Sequence, residues 1–108
     1  MTIDLPKPIA NYFKADKKNG EAIVACFSEN AVVKDEGQTY MGLAAIRQWK
    51  MSTSSKYNYT VEPQSLRESK EQMIVTGLVA GNFPGSPVNL QYVFKLEGDK
   101  IAALEITL

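Results

Sequence analysis

At 108 residues, with 44% of them apolar and twelve basic side chains balanced by twelve acidic ones, the chain can build one core and not two. A net charge of zero with no basic run excludes nucleic acid as the main partner, because phosphate binding needs a concentrated basic face. No stretch approaches the ~18 consecutive apolar residues of a membrane span, histidine is absent and Cys26 is the only cysteine, which excludes a span, imidazole chemistry and an internal disulfide.

The start, MTIDLPKPIANYF, lacks the basic and apolar regions of a signal peptide, so a cytoplasmic protein is expected. Pro8 suits a first helical turn. Ile9, Tyr12 and Phe13 follow at i, i+3 and i+4, predicting an amphipathic helix to about Lys17, broken by Asn19-Gly20. A second helix is expected from Glu21 to Glu29, with Ile23, Val24 and Phe27 as its inner stripe and Asn30 as its stop. Val32 and Val33 predict a strand from Ala31 to Glu36. Glu36-Gly37 then makes a tight turn, and Gln38 to Met41 returns. Gly42 starts a third helix, Leu43 to about Met51. Leu43, Ile46 and Trp49 share its inner face, Arg47 and Lys50 lie outside, and Ser52 to Ser55 form a loop.

From Tyr57 the period falls to two. Tyr57, Tyr59 and Val61 alternate with polar residues, and Pro63 marks a sheet edge or a bulge. Met73 to Ala80 is apolar on both faces, as in a strand covered on both sides. GNFPGSP, Gly81 to Pro87, is the longest loop. Val88, Leu90, Tyr92, Phe94 and Leu96 then alternate over nine residues. Gly98-Asp99 is a hairpin turn. The last strand, Ile101 to Leu108, puts Ala102, Leu104 and Ile106 on one face and Glu105 on the outer one. Helices first and strands after give an α+β fold, one domain over residues 1–108, with helices on one face of a curved antiparallel sheet.

The phrases ANYFKADKKNGEAIVACFSENAVV, QTYMGLAAIRQW and LQYVFKLEGDKIAALEITL, in this order, resemble the SnoaL-like polyketide cyclases and the ketosteroid isomerases of the nuclear transport factor 2-like superfamily. The resemblance spans nearly the whole chain and implies a cone: a curved antiparallel sheet wrapped around three N-terminal helices, enclosing a deep pocket. It also implies a homodimer through the outer sheet face. In the isomerases a first-strand carboxylate is the general base, a first-helix tyrosine donates to the substrate oxygen, and a protonated aspartate on the penultimate strand assists. Asp35, Tyr12 and Tyr92 fall at those places, with tyrosine standing where the acid would be. Trp49 answers to the family's aromatic after Ile-Arg, and Lys50 stands where a supporting tyrosine would be.

Each assignment has a plainer alternative. Asp35 is a base with a raised pKa in an apolar pocket, or a solvated aspartate beside a turn. Tyr12 and Tyr92 are oxyanion donors, or core tyrosines. Phe27, Ile46, Trp49, Val75, Val79, Phe94, Leu104 and Ile106 line a pocket for a small apolar ligand, or pack against one another. Gly77 leaves room beside them. Met41, Met51 and Met73 are core filler, and Cys26, with no histidine to activate it, is a buried thiol. The expected activity is cofactor-independent proton transfer next to a carbonyl: isomerisation, cyclisation or dehydration of an apolar ring-like substrate. The alternative is a non-catalytic ligand-binding or protein-interaction module of the same fold. No metal spacing is present, since Asp35 and Glu36 are adjacent.

Overall fold

The strand with the clearest two-residue period lies near the middle of the sheet. A computed structural model describes residues 5–15, 20–56 and 58–108. Its elements are α1 (Lys7–Ala15), α2 (Gly20–Val24), β1 (Phe27–Asp35), β2 (Gln38–Met41), α3 (Leu43–Lys56), β3 (Tyr59–Ser69), β4 (Gln72–Gly81), β5 (Val88–Glu97) and β6 (Lys100–Thr107). The strands form one sheet in the order β2-β1-β6-β5-β4-β3. The fold is α+β, as expected. The sheet is mixed rather than antiparallel, because β1 pairs with β6 in parallel while the other neighbours run antiparallel. β1 and β6 are far apart in the chain, so no short turn dictates their direction. The expected helix end at Lys17, the break at Asn19 and the strand start at Tyr57 lie outside the described residues. Among the described residues no helix is long and apolar enough to cross a membrane.

The inward faces of β4, β5 and β6 bury Val75, Val79, Tyr92, Phe94, Ile101 and Leu104 against Ile9, Tyr12 and Phe13 of α1. Aromatic edges organise this contact. Tyr12 meets Phe94 edge-on at 5.5 Å and Phe13 meets Tyr92 edge-on at 5.2 Å, the geometry that ring quadrupoles favour. Burying such a ring contributes on the order of 1.5–3 kcal/mol relative to leaving it in water.

Three local expectations are corrected. The second helix stops at Val24 and the strand begins at Phe27. The Cys26 amide closes the last turn on the Ile23 carbonyl at 3.0 Å, and the Cys26 carbonyl accepts from the Ile101 amide at 2.9 Å. Pairing with β6 thus captures Phe27, which the helical stripe had claimed. The register shifts between Phe27 and Val32 to absorb the polar Ser28-Glu29-Asn30. The third helix runs through Ser52–Ser55 to Lys56, since Ser and Thr cost a formed helix only about 0.5 kcal/mol each. In β6 a register shift against Leu96 breaks the alternation, so Ile101 and Leu104 are both buried. A bulge of this kind turns successive residues to one face.

Pro63 behaves as its chemistry requires: β3 is an edge strand and its register shifts between Pro63 and Ser65. Glu36 and Gly37 both take positive φ, 53° and 77°, the pattern of a two-residue turn that matches strand twist. Met41 and Met51 are exposed rather than core filler, whereas Met73 packs on the core.

Candidate functional site

The β1–β2 turn ends β1 at Asp35 and delivers its carboxylate to the wall of a cavity of about 530 Å³. Trp49 of α3 lines the same cavity, and its indole Nε1–H donates to Asp35 Oδ2 at 3.0 Å. Burial raises the Asp35 pKa above the ordinary aspartate value. The Trp49 hydrogen bond and a backbone bond at Glu36 work against that rise, and the neighbouring Glu36 charge adds to it. The carboxylate is therefore fixed in direction by the Trp49 indole and the Glu36 backbone, and its two oxygens have lone pairs left for other chemistry.

Tyrosines from three elements face it. Tyr12 of α1, Tyr59 of β3 and Tyr92 of β5 all line the cavity. The Tyr12 and Tyr92 ring centroids lie 6.4 Å apart. Burial raises the pKa of all three, Asp35 adds to each rise, and neighbouring phenols add to those of Tyr12 and Tyr59. They stay protonated across the neutral range, which keeps them donors.

Lys50 is the main correction. It does not lie outside with Arg47; it is 3% exposed and lines the cavity. Its Nζ donates to the Tyr59 hydroxyl and sits 5.4 Å from the Trp49 ring centroid and 5.1 Å from that of Tyr59. Burial lowers its pKa to about 8. Two aromatic faces supply part of the stabilisation that water would give an ammonium.

Of the residues expected at the site, Asp35, Tyr12, Tyr92, Trp49, Val79 and Ile106 line this cavity. Phe27, Ile46, Val75, Phe94 and Leu104 do not; they are buried in the core around it. Inward direction was legible for each, but depth was not, because burial by packing and burial beside a void leave the same periodicity. Gly77 also leaves no open space. A Cβ there would stand 3.0 Å from Tyr92 Cε1 and 3.2 Å from Val61 Cγ1, so the missing side chain is what admits the Tyr92 ring. Gly77→Ala is expected to displace that ring and destabilise the fold by about 1–3 kcal/mol. Urea unfolding measures this, and an unchanged midpoint would contradict the close approach.

Sequence reasoning missed Tyr59, Lys50 and the loop after β4. Tyr59 shares the two-residue period of buried Val61, and Lys50 lies one turn after buried Ile46, so spacing held a signal for both. The loop residues Phe83, Pro84 and Gly85 also line the cavity, with Val88 and Leu90 of β5. Nothing in local sequence shows where a loop folds back. Its base is fastened: the Asn58 amide donates to Asn82 Oδ1 at 2.9 Å, the Asn82 amide returns to the Asn58 carbonyl at 3.0 Å, and the Gly81 amide donates to Ser86 Oγ at 2.8 Å. Cys26 is buried, and burial pushes its thiol pKa up. Among the described residues no His, Cys, Asp and Glu group could hold a metal ion.

No family model matches the chain, and neither does any curated protein. Solved structures do. A protein of Sinorhizobium meliloti, named provisionally as a polyketide cyclase, is 37% identical with a TM-score of 0.91, over 96% of each chain. SalBIII, described as an epoxide hydrolase/cyclase-like enzyme with a role in pyran ring formation in the polyether salinomycin, is 25% identical with a TM-score of 0.77. That match covers 93% of this chain and 86% of that one. A Catenulispora acidiphila protein with a ketosteroid isomerase-like fold is 18% identical with a TM-score of 0.84, over 97% of this chain and 87% of that one, and shares the fold. Because the Sinorhizobium meliloti protein is 37% identical over 96% of each chain, the chain belongs to the SnoaL-like family of the nuclear transport factor 2-like superfamily.

Proposed function

We propose that the chain catalyses cofactor-independent proton transfer next to a carbonyl of an apolar, ring-like ligand held in this cavity. The observation that carries the reading is Asp35: a half-buried carboxylate on the cavity wall, aimed by the Trp49 indole and made more basic by burial. A base with an elevated pKa is better matched to a weakly acidic carbon. The phenols of Tyr12 and Tyr92 line the same cavity and are the proposed donors to the oxygen on which enolate charge develops. The walls of Val79, Val88, Leu90 and Ile106 suit an uncharged hydrocarbon frame. The relatives named as cyclases are consistent with ring-forming chemistry.

The test is exchange at carbon. In D2O the protein is expected to exchange the α-protons of 2-tetralone faster than buffer at the same pH, read by proton NMR. Exchange no faster than buffer, with the ketone shown to bind by thermal shift, favours the non-catalytic binding module instead.

We also propose that two copies pair through the outer sheet face, where half-buried Ile74, Leu78 and Val93 lie among polar neighbours. Sedimentation equilibrium at micromolar concentration is expected to give twice the 12.0 kDa chain mass. A monomer throughout overturns this.

A further inference from the structure

We propose that Lys50 is a second reactive group of the cavity: an amine that condenses with small apolar aldehydes and ketones to form an imine. The argument is geometric first. A lysine in its usual role sends its ammonium to water along an apolar stem. Lys50 cannot do so at 3% exposure, and it ends at the cavity wall between the Trp49 and Tyr59 rings. The same walls that exclude water from the amine would hold the carbon frame of a carbonyl compound against it. Nucleophilic amines are made in such desolvated sites, because the attacking form is the neutral one.

Tyr59 supplies the other half. Its hydroxyl is in hydrogen-bond contact with Lys50 Nζ. Burial lowers the lysine and raises the phenol, so above a pH of about 8 the pair is a neutral amine beside a neutral phenol. Among the described residues, the other ionisable side chains lining the cavity are Asp35 at the end of β1, Glu36 in the turn after it, Tyr12 of α1 and Tyr92 of β5. The step balances without a cofactor. The nitrogen lone pair forms the C–N bond as the carbonyl π pair takes the Tyr59 proton, giving a carbinolamine with a positively charged nitrogen. That nitrogen returns its proton to Tyr59, which passes it to the hydroxyl leaving as water. The Tyr59 phenolate left by that transfer takes the second nitrogen proton, which leaves the neutral imine and restores the phenol. The sum is amine plus carbonyl giving imine plus water, with no change of oxidation state.

The experiment is reductive trapping. The full chain is incubated with 3-phenylpropanal and sodium cyanoborohydride, whose hydride reduces the C=N bond to a stable amine, and adducts are located by peptide mass mapping. Labelling is expected at Lys50 at least about tenfold faster than at the exposed Lys34 and Lys95, because the cavity walls hold the aldehyde against the Lys50 amine and the open surface does not. The Lys50 rate is expected to rise through a midpoint near pH 8 and to fall with added 2-tetralone. Lys50→Arg, checked for fold by circular dichroism, should remove the selective adduct. Asp35→Asn should keep it, which separates this inference from the proton-transfer reading: either can fail alone. Equal labelling of Lys50 and the surface lysines in the wild-type chain overturns the proposal.

Discussion

Replacing Asp35 by asparagine is expected to lower 2-tetralone α-proton exchange by about 10²–10⁴-fold, the usual contribution of a positioned general base. Ligand affinity should change little. The amide keeps an oxygen for the Trp49 indole, so the 3.0 Å hydrogen bond survives the substitution and only the basic lone pair is lost. The wild-type rate should rise with pH and level off above the ordinary aspartate range, because burial raises this carboxyl. Stability should move in the opposite sense to activity. A carboxyl with a raised folded-state pKa contributes its full stability below its unfolded value, and that contribution is lost as pH rises through the folded value. Asp35→Asn should therefore be more stable than wild type at pH 7, with the difference closing as pH falls toward the ordinary aspartate value. A variant that keeps its turnover would remove Asp35 from the mechanism, whatever its stability.

The second large effect is a stability maximum on the alkaline side. Lys50 has its pKa lowered from 10.5 to about 8, so the unfolded chain binds more protons than the folded one between those values. Stability then rises with pH in that window. Holding this ammonium in the fold costs about 3 kcal/mol at neutral pH, at 1.36 kcal/mol for each pH unit of displacement. Tyr12, Tyr59 and Tyr92 act in reverse. Burial raises all three above the ordinary phenol value of about 10, so their contribution is complete below pH 10 and is lost above it. Three such groups give a decline of about 4 kcal/mol per pH unit once the unfolded phenols ionise. Urea unfolding at pH 7, 9, 10 and 11 should show a rise and then a steep fall. Lys50→Met should flatten the rise and leave the fall. A monotonic decline from pH 7 would mean that the lysine is not buried as its exposure says.

What was legible in the sequence was what short-range periodicity encodes. The alternation from Val88 to Leu96 gave β5 its ends and its inner face, and Pro63 gave the edge strand and its irregularity. Asp35 entered the candidate site through the resemblance, because a strand-end carboxylate beside a turn reads equally well as solvated; the structure sets it on the cavity wall. The start of β1 was not, since Ile23 and Phe27 fit a helical stripe equally well, and only pairing with distant Ile101 decides for a strand. The parallel pairing of β1 with β6 was hidden for the same reason. Lys50 was misplaced because residue type outweighed spacing. Its four-residue step from Ile46 puts it on the inner face, and tertiary burial overrode the preference of lysine for water. Gly77 was read as space when its neighbour's ring fills that space.

The cavity wall formed by Phe83, Pro84 and Gly85 stands outside the strand ladder, on a loop fastened at its base by Asn58, Asn82 and Ser86. The candidate reacting groups, Asp35 and Lys50, stand on β1 and α3 instead. Substitutions at Phe83 and Pro84, though not at Gly85 with its φ of 88°, can therefore change the shape of the cavity without unpairing a strand or moving either group. Under the proposed function, ligand shape and reacting chemistry are set by separate parts of the chain.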